Sequence, residues 1–341
     1  MTGAAVQVSR ERQRAGRVRT AVVGAVLGIV VVAAVFVTLG TGPVPVGPAE
    51  VVRTLVGAST ENDFAGMDVG LPRALLAVLC GMVMGIGGAL MQAHTRNPLG
   101  TPDVIGFLYG ASAGAVIALI PMHLRGTPVA VAAVIGGVVT AVLVYLFAGG
   151  AHGAGYRLIV VGIGMTALLT GVTNYILSRA EVGAGIDAER WLAGSLNDAA
   201  WSDVALMLVV MVVAVLAGAR LRRPLVALEM GDDAAIGLGV NLFSTQLQVV
   251  AIAVLTSAAT VYTVGPVAFV GLVAPQVAVR LARQPGPLVM TSALVGGLLL
   301  LVSDLIAQRT LPRTPVPVGI ATGVVGGIYL AWLLTRMWRT R

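Results

Sequence analysis

Side chains able to do chemistry are scarce in this chain, where charged residues make up 11% and one acid, Asp304, stands in a run otherwise apolar enough to cross a membrane. An acid so placed raises two expectations. It is a proton carrier in an ion-coupled path, or a carboxylate near a helix end that is solvated or paired with Arg309. Cys80 is the single cysteine and sits in an apolar segment, so packing is its expected role and no disulfide framework or Cys-based metal site is available. His94, His123 and His152 fall near loops without metal-ligand spacing, so no metal site is expected. A phosphate-cradling GxxxxGK[ST] stretch is also missing, and any ATP hydrolysis must come from another chain. The expectation is a protein without catalytic residues or a cofactor of its own.

The elements that must position these residues are membrane helices. A chain that is 57% hydrophobic, with a mean hydropathy of +0.94, is far from a soluble globule, where charged residues make up about a quarter. Ten apolar runs suit an all-α polytopic membrane protein: Thr20 to Leu39, Leu71 to Gln92, Val104 to Pro121, Thr127 to Ala148, Tyr156 to Leu177, Val204 to Ala219, Ser244 to Val264, Val267 to Leu281, Leu288 to Ile306 and Val316 to Thr335. The runs from Val204 and Val267 are short, so each is expected to extend or to be covered by neighbouring protein. Glycine is abundant at 44 residues, and Gly81/Gly85, Ala293/Gly297 and Gly323/Gly327 have the four-residue spacing that lets membrane helices approach closely.

Charge sets the orientation. All 22 basic residues are arginine, and with ten spans and the N-terminus inside, fifteen fall on the inner face and seven on the outer. Both termini are then cytoplasmic, residues 1–19 form a cytoplasmic segment, and 20–341 form one transmembrane domain. The net charge of +7 reflects cytoplasmic loops rather than nucleic-acid binding. The first apolar run exceeds a signal-peptide core of about 7 to 15 residues and is expected to be an uncleaved helix. Gly40 to Gly70, with Pro43, Pro45 and Pro48, reads as an outer loop.

Three stretches break this helical pattern. Arg96-Asn-Pro-Leu-Gly-Thr-Pro-Asp-Val-Ile-Gly106 must leave the helix, because Pro98 and Pro102 lack a backbone N–H and clash with the preceding turn. Leu225 to Val240 contains Gly231, suited to a positive-φ reversal, and Asp232, placed to cap the next helix. Ala235, Ile236 and Gly239 would then form a small, mostly apolar face. Gly265-Pro266 and Pro275 interrupt another apolar run, which a membrane tolerates only where protein or a water-filled cavity serves the freed backbone groups.

Together with Gly265-Pro-Val-Ala-Phe-Val-Gly-Leu-Val-Ala-Pro275, Ser303-Asp-Leu-Ile-Ala-Gln-Arg309 and Pro317-Val-Gly-Ile-Ala-Thr-Gly-Val-Val-Gly-Gly-Ile-Tyr329, these stretches resemble the FecCD family of ABC importer permeases for iron–siderophores, haem and vitamin B12. Within that family the wording is most like the ferric enterobactin type. The resemblance implies a permease fold of the ABC type II importer class. It also implies ABC ATPase subunits that use ATP and magnesium, an extracytoplasmic siderophore-binding protein, and a second permease, a heterodimer being favoured. Residue by residue, it assigns Leu228, Glu229, Gly231, Asp232, Ala235, Ile236 and Gly239 to ATPase coupling. Asn97 and Leu99 become the cytoplasmic gate, with Gly265 and Pro266 on the path, and Arg73 and Arg309 meet the binding protein. The chain departs from the family pattern at Gln276, where His is usual, at Val279, where Arg is usual with Arg280 following, and at Gln308, where the arginine of DLLAR would stand. Vitamin B12 or haem remains an alternative cargo, and an ion-coupled secondary transporter an alternative of another class.

Overall fold

The computed structural model describes residues 3–41, 69–102, 106–149, 155–284, 286–310 and 316–339. Most of the expected loop from Gly40 to Gly70, and Asp103 to Ile105 of the first Pro-broken stretch, lie outside the described residues. Those described form α1 (Gly3–Gly40), α2 (Leu71–Thr95), α3 (Phe107–Leu119), α4 (Thr127–Phe147), α5 (Gly155–Ser178), α6 (Val182–Leu192), α7 (Trp201–Leu228), α8 (Asp232–Gly237), α9 (Leu242–Val264), α10 (Val270–Ala282), α11 (Val289–Thr310) and α12 (Val318–Arg339), with no strand among them.

Each of the ten expected runs is a helix. Seven are long and apolar enough to span a membrane, and three are shorter apolar helices: α3, α10 and Val318–Trp332 of α12. The two short runs resolve differently. The run from Val204 extends at both ends into the 28-residue α7, which passes through Pro224. Pro224 forfeits one helical hydrogen bond close to the helix end and beside three arginines, where freed groups are easily served. The run from Val267 stays short, and α10 is instead enclosed by α2, α11 and α12.

The axis of the fold is α2. Most of its surface is buried, and it packs on α7, α9, α10 and α11. Small residues make this possible. A Cβ at Gly81 would overlap the Gly296 carbonyl, and one at Gly85 the Ser292 carbonyl, so the Gly81/Gly85 stripe of α2 faces the Ala293/Gly297 stripe of α11 at backbone contact. The third expected stripe behaves otherwise: a Cβ at Gly323 or Gly327 would meet nothing within 4 Å in this chain. On the other side, α3 and α4 pack closely together and α5 lies against α3. Apart from its end at Leu158, α5 is mostly exposed.

Candidate functional site

At its C-terminal end α2 stops as the two prolines require. Arg96 turns into the left-handed region at φ +50°, and its N–H donates to the Gln92 carbonyl, as does that of Asn97 at 3.3 Å. The Asn97 side chain then accepts the Leu99 N–H at 2.9 Å, and the Gly100 N–H donates to the Asn97 carbonyl at 2.9 Å. This tight turn directs Asn97 and Leu99 into a cavity of about 420 Å³, completed by Tyr109 of α3, Ile163 of α5 and Phe269 before α10. Its walls are predominantly apolar, so it suits a bulky cargo with a greasy rim better than a bare ion.

Gly265 and Pro266, expected on the path, do not line this cavity. Both are buried where the chain between α6 and α7 crosses the start of α12: Ser195 N–H donates to the Val264 carbonyl at 2.7 Å, and Gly319 N–H to that of Ala193 at 3.1 Å. Gly265 has φ +80°, and a Cβ there would press on the Trp191 carbonyl at 3.1 Å. The backbone groups freed by the break are thus served by protein. Ala268 and Phe269, just beyond it, are the ones that reach the cavity. An αL residue before α10, Phe269 at φ +69°, was not foreseen; the GPVAFVG wording located the break but not the side chain that it aims.

Pro275, expected to interrupt the run, lies inside the unbroken α10, and that helix is tied back to α2 by amides. Gln276 Nε2 donates to Gln92 Oε1 at 2.7 Å, and Gln92 Nε2 donates to the Leu272 carbonyl at 3.0 Å. The glutamine that replaces the family's usual histidine therefore links α10 to α2. Arg280 stacks over Trp332, 4.7 Å from the ring centroid, and donates to the Tyr329 hydroxyl at 2.9 Å.

The segment assigned to ATPase coupling is one long helix end, a glycine turn and one short helix. Gly231 makes the turn at φ +102°, a conformation that L side chains rarely adopt. Asp232 does not cap α8: no side-chain cap bond is made, and its carboxylate instead accepts from Arg96 Nη2 at 2.9 Å. Ala235 does not belong to the presented face either, being fully buried, and Leu228 is buried too. Helical geometry explains this, since a six-residue helix can show only one side, and Ala235 is on the side that rests against α7 and α9. Exposed instead are Met230, Ile236 and Leu238, with Glu229, Gly237 and Gly239 between them. Met230 and Leu238 were missed, although bulky apolar residues beside the turn glycines Gly231 and Gly239 are a signal that sequence offers.

At the opposite end of α2, Arg73 and Asp304 form a bidentate pair. Arg73 Nη2 donates to Asp304 Oδ1 at 2.7 Å and Nε to Oδ2 at 3.0 Å. Gln308 adds a third donor to Oδ2 at 2.6 Å, and Arg73 Nη1 donates to Asn197 Oδ1 at 2.8 Å. Asp304 is 0% exposed, so it is neither solvated nor paired with Arg309, which lies exposed at the end of α11. A charged group this deep is held only because donors surround it. Arg73 keeps 18% of its side chain accessible. Nearby in the expected topology, Arg125 after α3 pairs with Asp187 of α6 at 2.7 Å. Among the described residues no three His, Cys, Asp or Glu groups cluster as metal ligands would.

A helical hub with a loop-lined apolar cavity at one end matches a known architecture. The model of the FecCD transport family covers residues 14–336. The chain belongs to the FecCD transport family. It is accordingly a multi-pass membrane permease rather than an enzyme. It is similar to the ferric enterobactin transport system permease protein of Escherichia coli, with 37% identity over 87% of this chain and 90% of that one. To the Fe(3+)-citrate import system permease protein of Bacillus subtilis the identity is 31%, over 91% of this chain and 93% of the relative. A solved metal-chelate type ABC transporter in an inward-facing conformation superposes with a TM-score of 0.81 at 22% identity, over 92% of this chain and 98% of that one, a likeness of fold.

Proposed function

We propose that this chain is the permease subunit of an ABC importer that carries an iron(III)-siderophore across the cytoplasmic membrane, with both termini on the cytoplasmic side. Separate ATPase subunits bind and split ATP with magnesium, an extracytoplasmic binding protein delivers the cargo, and a second, non-identical permease completes the path. The observation that carries this reading is the 37% identity to a ferric enterobactin permease along almost the whole chain.

The geometry supports it. The cavity at Asn97 and Leu99 adjoins a loop whose Arg96 touches the Asp232 segment, and that segment exposes Met230, Ile236 and Leu238, an apolar knob for a partner's groove. Helix α5, which helps to line the cavity, exposes Ile163 and Leu168, a face suited to a second permease. The fifteen inner arginines support the orientation. An ion-coupled path through Asp304 is disfavoured, because both carboxylate oxygens already hold hydrogen bonds from Arg73 and Gln308.

Deleting the gene tests the reading. Growth on ferric enterobactin under iron limitation should fall, with haem and vitamin B12 use unchanged. Loss of haem or B12 uptake with normal siderophore use would reassign the cargo. An active complex that contains only this permease would overturn the heterodimer.

A further inference from the structure

We propose that Arg96 is the positioning residue through which movement of the α7–α8 turn reaches the cavity, a role that rests on the ABC permease reading above. Its guanidinium joins two helix ends at once. Nη1 donates to the Leu228 carbonyl at 3.4 Å, and Nη2 donates to Asp232 Oδ1 at 2.9 Å. The Leu228 carbonyl lies in the last turn of α7, at the negative end of its dipole, and also accepts the Gly231 N–H at 3.1 Å, so Arg96 is its second donor. Asp232 opens α8 across the Gly231 reversal. A change in the angle between α7 and α8 therefore alters the distance between the two acceptors that hold Arg96.

The backbone of Arg96 connects that change to the path. Arg96 is the left-handed residue that ends α2, and the next residues, Asn97 and Leu99, line the 420 Å³ cavity. Space between the loop and the segment is not filled by packing: a second, more polar cavity of about 350 Å³ lies there, bordered by Arg96, Asn97, Pro98, Glu229 and Gln276. Beyond the arginine, α8 rests on α7 and α9. The anionic groups facing Arg96 are Asp232 and, across this cavity, Glu229. With 45% of Arg96 and 53% of Asp232 exposed, the pair adds little to stability, and what it fixes is the separation of loop and segment. A lysine carries one compact charge and lacks the planar fork that reaches both acceptors, so it should transmit poorly.

The test uses the assembled complex of both permeases and the ATPases, with Leu99→Cys introduced on a Cys80→Ala background as a thiol reporter. The labelling rate at position 99 is measured with and without Mg-ATP and vanadate, per assembled complex. With Arg96 present the rate should change on nucleotide binding. In Arg96→Ala, with the ATPases still copurifying, and in Asp232→Ala that change should shrink about tenfold, and the charge-swapped pair Arg96→Asp with Asp232→Arg should recover a good part of it. An undiminished response in both single variants overturns the proposal, as does a swap no better than its components. Loss of ATPase copurification in both would also overturn it, since Arg96 would then belong to the docking surface. A complex that retains Arg96 and whose position 99 ignores nucleotide counts against the ABC reading itself. Uptake of radio-iron ferric enterobactin by the same proteoliposomes separates that failure from a wrong cargo.

Discussion

Each end of α2 carries an arginine paired with an aspartate from a distant part of the chain, and the two pairs could hardly differ more. Arg73 is held by both oxygens of Asp304, which has no exposed surface and takes a further bond from Gln308. Arg96 touches Asp232 through one nitrogen, and both side chains are about half exposed. Some 23 residues of helix, roughly 35 Å at 1.5 Å per residue, separate them. The first pair locks α2 to α11 and, through Asn197, to the loop before α7. The second joins two loops across an open cavity. Water decides the difference: a buried pair that loses one partner leaves an unpaired charge in a low-dielectric interior, whereas an exposed pair exchanges its partner for solvent. One end is built to stay, the other to move.

The contrast breaks most readily at Asp304. Asp304→Ala strands the Arg73 guanidinium and should destabilise the detergent-solubilised protein by about 3 to 5 kcal/mol, read as a large drop in thermal midpoint. Replacing both partners together, Arg73→Met with Asp304→Leu, should recover most of the loss; a double variant as unstable as the single one would show that the pair is not the source. Between the two ends, Gly81→Val tests whether the α2–α11 seam makes the first lock rigid. Its added methyls must push against the Gly296 backbone, at a cost of about 1 to 3 kcal/mol, and wild-type thermal stability would rule out the close approach.

Two smaller effects sharpen the other side. Ile236→Asp should release the ATPases on purification yet leave the thermal midpoint of the isolated permease within error, because the side chain is exposed. Ala235→Asp, which buries a charge, should instead lower that midpoint, and the reverse pattern would exchange their roles. Smallest of all, Asp232→Asn should shift stability by less than about 1 kcal/mol, with the shift vanishing at high salt. A loss as large as that of Asp304→Ala would erase the distinction between the two ends.

Sequence by itself determined the ten apolar helices and their order, because apolar length acts locally along the chain; α6 was not foreseen, and Pro224 and Pro275 lie inside helices rather than ending them. It also located the turn that begins at Arg96, the Gly231 reversal and two of three small-residue stripes, each a matter of backbone permission at a named residue. Tertiary structure decided what those residues touch. Arg73 and Asp304 are 231 positions apart, and Asp304 with Arg309 was the nearer guess; only the packing of α2 on α11 brings Arg73 to the acid. Likewise, Asp232 had the position of a helix cap, but the end of α2 delivered Arg96 and charge pairing won over capping. Ala235 and Ile236 are neighbours of similar character, and the rotation of a six-residue helix against α7 and α9 buried one and exposed the other. Gly265 and Pro266 announced a break, yet which side of it faces the cavity depended on the crossing of the α6–α7 connection with α12. Backbone restrictions are properties of single residues and can be read one at a time; partners and exposure belong to pairs of distant surfaces and exist only once the helices have packed.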